Sequence, residues 1–348
     1  MNPKLFSYLV VCGLSLCAVP AMASSNSGAT AWVSSNHIQV INIESGEVLS
    51  RLPLREFIHE MQFTGAGDRL YVATSQALRV VDPEQMAFTA VLSKRRAKAV
   101  AVSSDGEHVF ALHPGDPKLS QEARVAGTPL PLATLSHYST ATMTEVRSWQ
   151  VPAMSFDVAI SPTGERVFVL DPTAGQVQIY SSQGALLEKV SVTPVDEAGR
   201  PQQGMFGWMA VSPDGSSIVF PVTMAAGAVL AEVDLLPSAT AKRVTLEPLQ
   251  ANGRIQGLAW NGAGNEVLIT AVGGVCSYKQ GSPQKWTPHA VNYVDIEPVP
   301  ASVDSVAVAP VFSERNKSGG VSVISAKGEV LRSIELPDMS PFFVAVRP

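Results

Sequence analysis

From residue 30 onward, apolar and polar side chains alternate in short runs separated by tight, glycine-centred turns. One unit recurs: an alternating apolar strand, a turn closing on glycine, then a β-branched or aromatic strand. It appears at Met61–Val72, Ala99–Phe110, Asp157–Val169, Met209–Phe220 and Gly257–Ile269. Alternation with period two is the signature of half-buried antiparallel strands. Pro162 and Pro213 preset an early turn position, Asp105 and Asp214 can accept a local N–H, and the glycine that follows tolerates positive φ. The anchor glycines Gly67, Gly106, Gly164, Gly215 and Gly264 lie 39, 58, 51 and 49 residues apart. Five hairpins in one phase predict a radial repeat rather than separate domains.

Two weaker units extend the count. Residues Ser302–Pro310 read as the inner strand of a sixth, followed by Gly320–Ile324 and Val330–Leu336. Pro341–Val346 reads as an inner strand with nothing after it. Its missing outer strands are supplied by Ala31–Val33, Ile38–Ile43 and Val48–Leu52 at the other end of the chain. The expectation is an all-β, seven-bladed propeller of four-stranded antiparallel blades. Its N- and C-terminal strands share one blade, which closes the ring and hides two sheet edges.

The first 23 residues differ from the rest. Lys4 is their only charge, an apolar run spans Leu5–Val19, and Ala21-Met22-Ala23 offers small residues at a cleavage site. This predicts a signal peptide at 1–23, cleaved after Ala23, and a single propeller domain at 24–348 in the periplasm of a Gram-negative cell. No comparable apolar run follows, so no transmembrane segment is expected in the mature chain. Without the leader there are 24 Lys and Arg against 30 Asp and Glu, a net charge of −6, which argues against a nucleic-acid partner. Cys276 is then the sole cysteine, either a buried strand thiol or a reactive one.

The units Ala159–Val169 and Ala210–Gly215, with Val40-Ile41-Asn42, resemble the repeats of bacterial YVTN-type and cytochrome-D1/amine-dehydrogenase-like propellers, a WD40-like superfamily. The resemblance covers residues 30–348 and implies architecture rather than activity. It also implies a binding face, where each inner strand begins. Three features map there: the basic run Lys94, Arg95, Arg96 and Lys98; the segment before the fourth anchor strand with Phe206 and Trp208; and a Pro/Gly-rich insertion at 113–130. Four positive charges on an acidic chain suit an anionic partner, and aromatic residues beside them suit an interface. The alternatives are a solvated turn for the charges and packing between blades for Phe206 and Trp208.

No catalytic constellation stands out. His37, His59, His108, His113, His137 and His289 lack metal-site spacing, and haem-attachment, nucleophile-elbow and phosphate-loop motifs are missing. Asp105, Asp171, Asp214 and Asp234 fall where turn-capping carboxylates are ordinary. The expected role is a non-enzymatic module, without cofactor or metal, that binds a partner protein or anionic polymer as a monomer or hetero-complex subunit. The alternative is an accessory subunit of a periplasmic quinone- or haem-dependent oxidoreductase. A lyase or hydrolase using channel carboxylates ranks third.

Overall fold

The computed structural model describes residues 29–194, 204–225, 227–235, 244–249, 255–261, 264–279, 284–299, 307–313, 318–325, 327–337, 339 and 341–348. The expected leader and its cleavage site lie outside them. Strands form where the alternation places them. β1 (Thr30–Ser34), β2 (His37–Asn42) and β3 (Val48–Pro53) make the first blade with the C-terminal strand, Phe343–Arg347, on their inner side. Ala31 pairs with Ile41 on one side and Val346 on the other, so the two ends of the chain share a blade.

The second blade is β4 (Ile58–Phe63), β5 (Leu70–Thr74), β6 (Leu78–Asp82) and β7 (Ala87–Ser93). The third is β8 (Ala99–Val102), β9 (His108–His113), β10 (Ala133–Ser139) and β11 (Thr144–Val151). Between β9 and β10 the insertion folds a helix that the turn-rich sequence did not announce, α1 (Pro117–Ala126), capped by the Asp116 side chain and by Gly127 at φ +65°. The fourth blade is β12 (Val158–Ile160), β13 (Arg166–Asp171), β14 (Gln176–Ser181) and β15 (Leu186–Ser191). In the fifth the inner strand is split into β16 (Met205–Phe206) and β17 (Ala210–Val211), followed by β18 (Ser217–Met224), β19 (Gly227–Asp234) and β20 (Val244–Leu249).

Here the expected blade count is corrected: five blades form, not seven. The rest of the ring is one continuous sheet of seven strands. These are β21 (Ile255–Trp260), β22 (Val267–Tyr278), β23 (Lys285–Tyr293), β24 (Glu297–Pro298), β25 (Ala307–Ser313), β26 (Ser318–Ile324) and β27 (Val330–Leu336). The cause is a missing outer strand. After β23 the chain returns directly to the centre, and the unpaired end of β23 pairs Asn292 with Phe312 and Tyr293 with Val311 of β25. An open edge is thereby covered by the next unit. The inner-strand assignment at Ser302–Pro310 is corrected with it. Ala307–Ser313 is a second strand, and Glu297–Pro298 takes the inner position.

The last strand is β28, the Phe343–Arg347 segment of the first blade. β28, β4, β8, β12, β17, β21 and β24 stand side by side in that order around a central channel. Apolar clusters fill the spaces between successive sheets; Phe168 and Phe220, for example, share one between the fourth and fifth blades. A further cluster with Leu268, Tyr293 and Ile324 lies inside the seven-stranded sheet, whose halves fold against each other. The five anchor glycines have φ of +67 to +73°, each donating its N–H to the carbonyl three residues earlier, as the turns require. No helix among the described residues is long and apolar enough to cross a membrane.

Candidate functional site

The inner strands run in one direction, so their N-terminal ends share one face, called here the entry face. The β9–β10 connection with α1 lies on it too, because β9 runs antiparallel to β8. Inner strands would expose unpaired N–H groups to the channel, and carboxyl and amide side chains near the start of neighbouring inner strands take several of them up. Glu60 accepts from Val100 N at 2.7 Å and Gln62 from Val102 N at 2.8 Å. Asp157 accepts from Val158 N at 2.8 Å and Met209 N at 2.6 Å, and Asp295 from Val344 N at 3.0 Å.

Burial pushes these carboxyls up. Asp157 rises to about 6 and Asp295 to about 7, in both cases against their backbone hydrogen bonds. Glu60 and Glu297 also lie well above the ordinary carboxylate range, by burial first and then by repulsion from Asp157 and Asp295 respectively. Glu60, Asp295 and Glu297 are surrounded by protein yet keep part of their surface open to the channel. Towards the opposite face the channel holds a cavity of about 390 Å³ lined by Glu60, Gln62, Ser161, Ser212, Trp260 and Glu297, among others.

Aromatic side chains close over the entry end. Phe156 and Trp208 meet at 5.5 Å between ring centroids, and Trp208 meets Phe343 edge to face at 6.2 Å. Since β17 and β28 are not neighbours around the ring, the Trp208–Phe343 contact crosses the mouth. Phe57 packs on Phe342 at 5.7 Å and on His59 at 5.1 Å. The Lys98 ammonium stands 4.7 Å from the Phe156 ring centroid and 3.4 Å from the Ser155 carbonyl oxygen. Burial lowers the Lys98 pKa, Asp157 opposes that, and Arg96 adds to it. Burial, then Arg96 and Lys98, lowers His59 to about 4, so its ring is neutral at pH 7. His59 Nε2 and Ser155 Oγ are buried and have no hydrogen-bond partner.

The residues singled out from the sequence separate into two groups. Lys98 and Trp208 both pack against Phe156 at the mouth. Arg96 stays exposed at the rim, within electrostatic range of His59 and Lys98. Arg95 instead turns along the third blade, donating to Ser136 Oγ at 2.9 Å with Glu145 at 3.8 Å, and Lys94 faces solvent. Phe206 packs against Phe220 in the core between blades. Cys276 is a buried thiol. Asp105, Asp171 and Asp214 cap local N–H groups of their own turns. The sequence reading missed Phe57, His59, Ser155, Phe156, Phe342 and Phe343. Each lies within three residues of the start of an inner strand, the phase that drew attention to Trp208.

Exposed apolar side chains are distributed unequally. Phe57, Met154, Met205 and Phe342 are 43–59 % exposed around the mouth, and Leu119, Val125 and Leu132 project from the helical insertion beside it. The other large exposed apolar residues among those described all lie on strands, mostly outer ones, and none on the turns of the opposite face. Such a one-sided patch marks an interaction surface. The only three-residue group among the described residues with metal-binding proximity is Asp105, Glu107 and His108, on that opposite face. Asp105 there is held by Ser103 and the Glu107 N–H.

No family model matches the sequence, and no curated protein does. Solved structures do match in fold. A functionally unknown protein from Desulfotomaculum acetoxidans superposes with TM-score 0.66 at 12 % identity, over 91 % of this chain and 98 % of that one. A dihydro-heme d1 dehydrogenase superposes with TM-score 0.57 at 14 % identity, over 91 % and 74 %. A chain of the mitotic checkpoint complex superposes with TM-score 0.60 at 10 % identity, over 83 % and 82 %. These likenesses are of fold alone. The strand pairing corrects the expected seven-bladed ring to a propeller with five separate blades.

Proposed function

We propose that this chain is the accessory propeller subunit of an exported, haem- or quinone-dependent oxidoreductase, docking a protein partner on its entry face. The observation that carries the docking is the crowding of exposed apolar side chains, with Arg96 and Lys98, around one mouth of the channel. Aromatic and cationic groups gathered at a rigid rim are the chemistry of interface hot spots. The redox setting is favoured by likeness to a dihydro-heme d1 dehydrogenase. In this reading the chain supplies binding and orientation, and its partner the redox group. The reading includes export to the periplasm with the leader removed after Ala23, supported by the apolar run Leu5–Val19 and the small residues of Ala21-Met22-Ala23.

The test is affinity purification of the exported protein from its own cells. A stoichiometric partner with visible haem or quinone absorbance supports the reading, and its loss with Trp208→Ala assigns the face. A colourless partner overturns the redox part and favours a general scaffold, the reading that likeness to a chain of the mitotic checkpoint complex supports. No partner at all overturns both.

A further inference from the structure

We propose that Lys98, Ser155 and His59 form a socket for one carboxylate of the docked polypeptide, an Asp or Glu side chain or a C-terminus. The proposal rests on the docking reading and names what anchors the partner at the mouth. Ser155 is 3 % exposed, and its hydroxyl has no partner although buried polar groups are nearly always paired. His59 Nε2 is a second buried orphan on the same face. Both belong to chain stretches that carry the mouth. Ser155 offers its carbonyl to Lys98, and His59 lies in the field of Lys98 and Arg96.

The three groups share one polarity. A serine hydroxyl, a neutral imidazole N–H and an ammonium can all donate, and a carboxylate is acceptor-only. Seating one would satisfy both orphans and add a charge-assisted bond to Lys98. The occupant carries a single negative charge, because Asp157 already offsets part of the Lys98 charge. Carboxylates of the same loops do not compete for the socket. Glu56 is held by Arg79 and Thr74, and Asp157 and Asp295 by backbone N–H groups. The rim formed by Phe57 and Phe342 receives an apolar neighbour of that carboxylate.

The probes are N-acetyl-phenylalanine, its C-terminal amide and inorganic phosphate, titrated into the full mature chain by calorimetry and ligand-observed NMR. The acid should bind about tenfold or more tightly than the amide. Lys98→Met and Ser155→Ala should each remove most of that preference. Because Ser155→Ala deletes an unsatisfied buried hydroxyl, it should leave the melting temperature unchanged or raised, so lost binding cannot be ascribed to unfolding. Equal binding of acid and amide, no binding of either, or an unchanged preference in Ser155→Ala overturns the socket. Phosphate binding as tightly as the acid overturns the polypeptide carboxylate in favour of a free anion. If the socket fails while Trp208→Ala still releases the partner, the docking face stands; if the partner survives Trp208→Ala, the docking face itself fails.

Discussion

Asp295→Asn tests the electrostatics of the channel most directly. The side chain accepts from Val344 N at 3.0 Å and so helps hold β28, the strand that closes the ring. Asparagine keeps an acceptor there and removes the charge. Burial raises the Asp295 carboxyl from 3.8 to about 7. Between those values the folded chain holds a proton that the unfolded chain has released, so stability falls as pH rises through this window. Full displacement corresponds to a ceiling of about 4 kcal/mol above pH 7, and contact with channel water reduces it to about 1–3 kcal/mol. His59, His113 and His137, each lowered to about 4 chiefly by burial, act in the opposite sense. Their contribution is lost as pH falls through 6.5 towards 4, and it still grows a little above 6.5, where the unfolded imidazoles finish losing their protons. It is common to the wild type and Asp295→Asn and cancels in their difference. Urea denaturation should show the variant gaining stability relative to the wild type from pH 5 to 8.5 and being the more stable protein at pH 8.5. A stability difference that stays flat from pH 5 to 8.5, or an asparagine variant weaker at pH 8.5, would refute the reasoning.

Three further outcomes follow from the same contacts. Deleting Ala345–Pro348 removes buried Ala345 and Val346 and their pairing with β1; burial of Val346 alone contributes about 1.5–3 kcal/mol, so the folded monomer should be lost, and an unchanged melting transition would refute shared-blade closure. Trp208→Ala should weaken partner binding by about 2 kcal/mol with little salt dependence, whereas the loss in Lys98→Met should be largest at low salt; affinities at two ionic strengths separate them. Burial pushes the Cys276 thiol up to about 11, so a thiol reagent should label the leader-free chain once on denaturation and not in the native state, and rapid native labelling would contradict the buried assignment.

The hairpins were legible because each depends on a local rule. Alternation sets the strand faces, and a positive φ demands glycine at Gly67, Gly106, Gly164, Gly215 and Gly264. Closure was legible because an inner strand without followers and outer strands without a leader have one economical solution. The blade count was not, since it turned on whether three residues between Tyr293 and Glu297 could hold an outer strand. They cannot, and β23 pairs onward. At the mouth, Lys98 and Trp208 were visible as a charge anomaly and an aromatic before an anchor strand. Phe57, Phe156 and Phe342 look like ordinary core residues in a sequence, and their partial exposure arises only when successive blades bring one phase of the repeat together. Arg95 shows the converse: it belongs to the basic run, yet the local chain direction carries it away to Ser136.

The channel carboxylates have a structural role of their own beneath the proposed docking face. Glu60, Asp157 and Asp295 look like scattered acids, but each accepts an N–H from the next inner strand. They act as side-chain substitutes for the hydrogen-bonded neighbour that an inner edge lacks. Serving that role places acidic groups in surroundings that disfavour their ionisation, by burial first and by repulsion from one another second. In the proposed docking, an anion arriving at the aromatic end meets the Lys98 ammonium beside Phe156. In the proposed docking, the rim thus shares a charge with the sealing of an inner edge. Lys98 stands over the Phe156 ring and within electrostatic reach of Asp157, where it can serve an arriving carboxylate while easing the burial of a resident one.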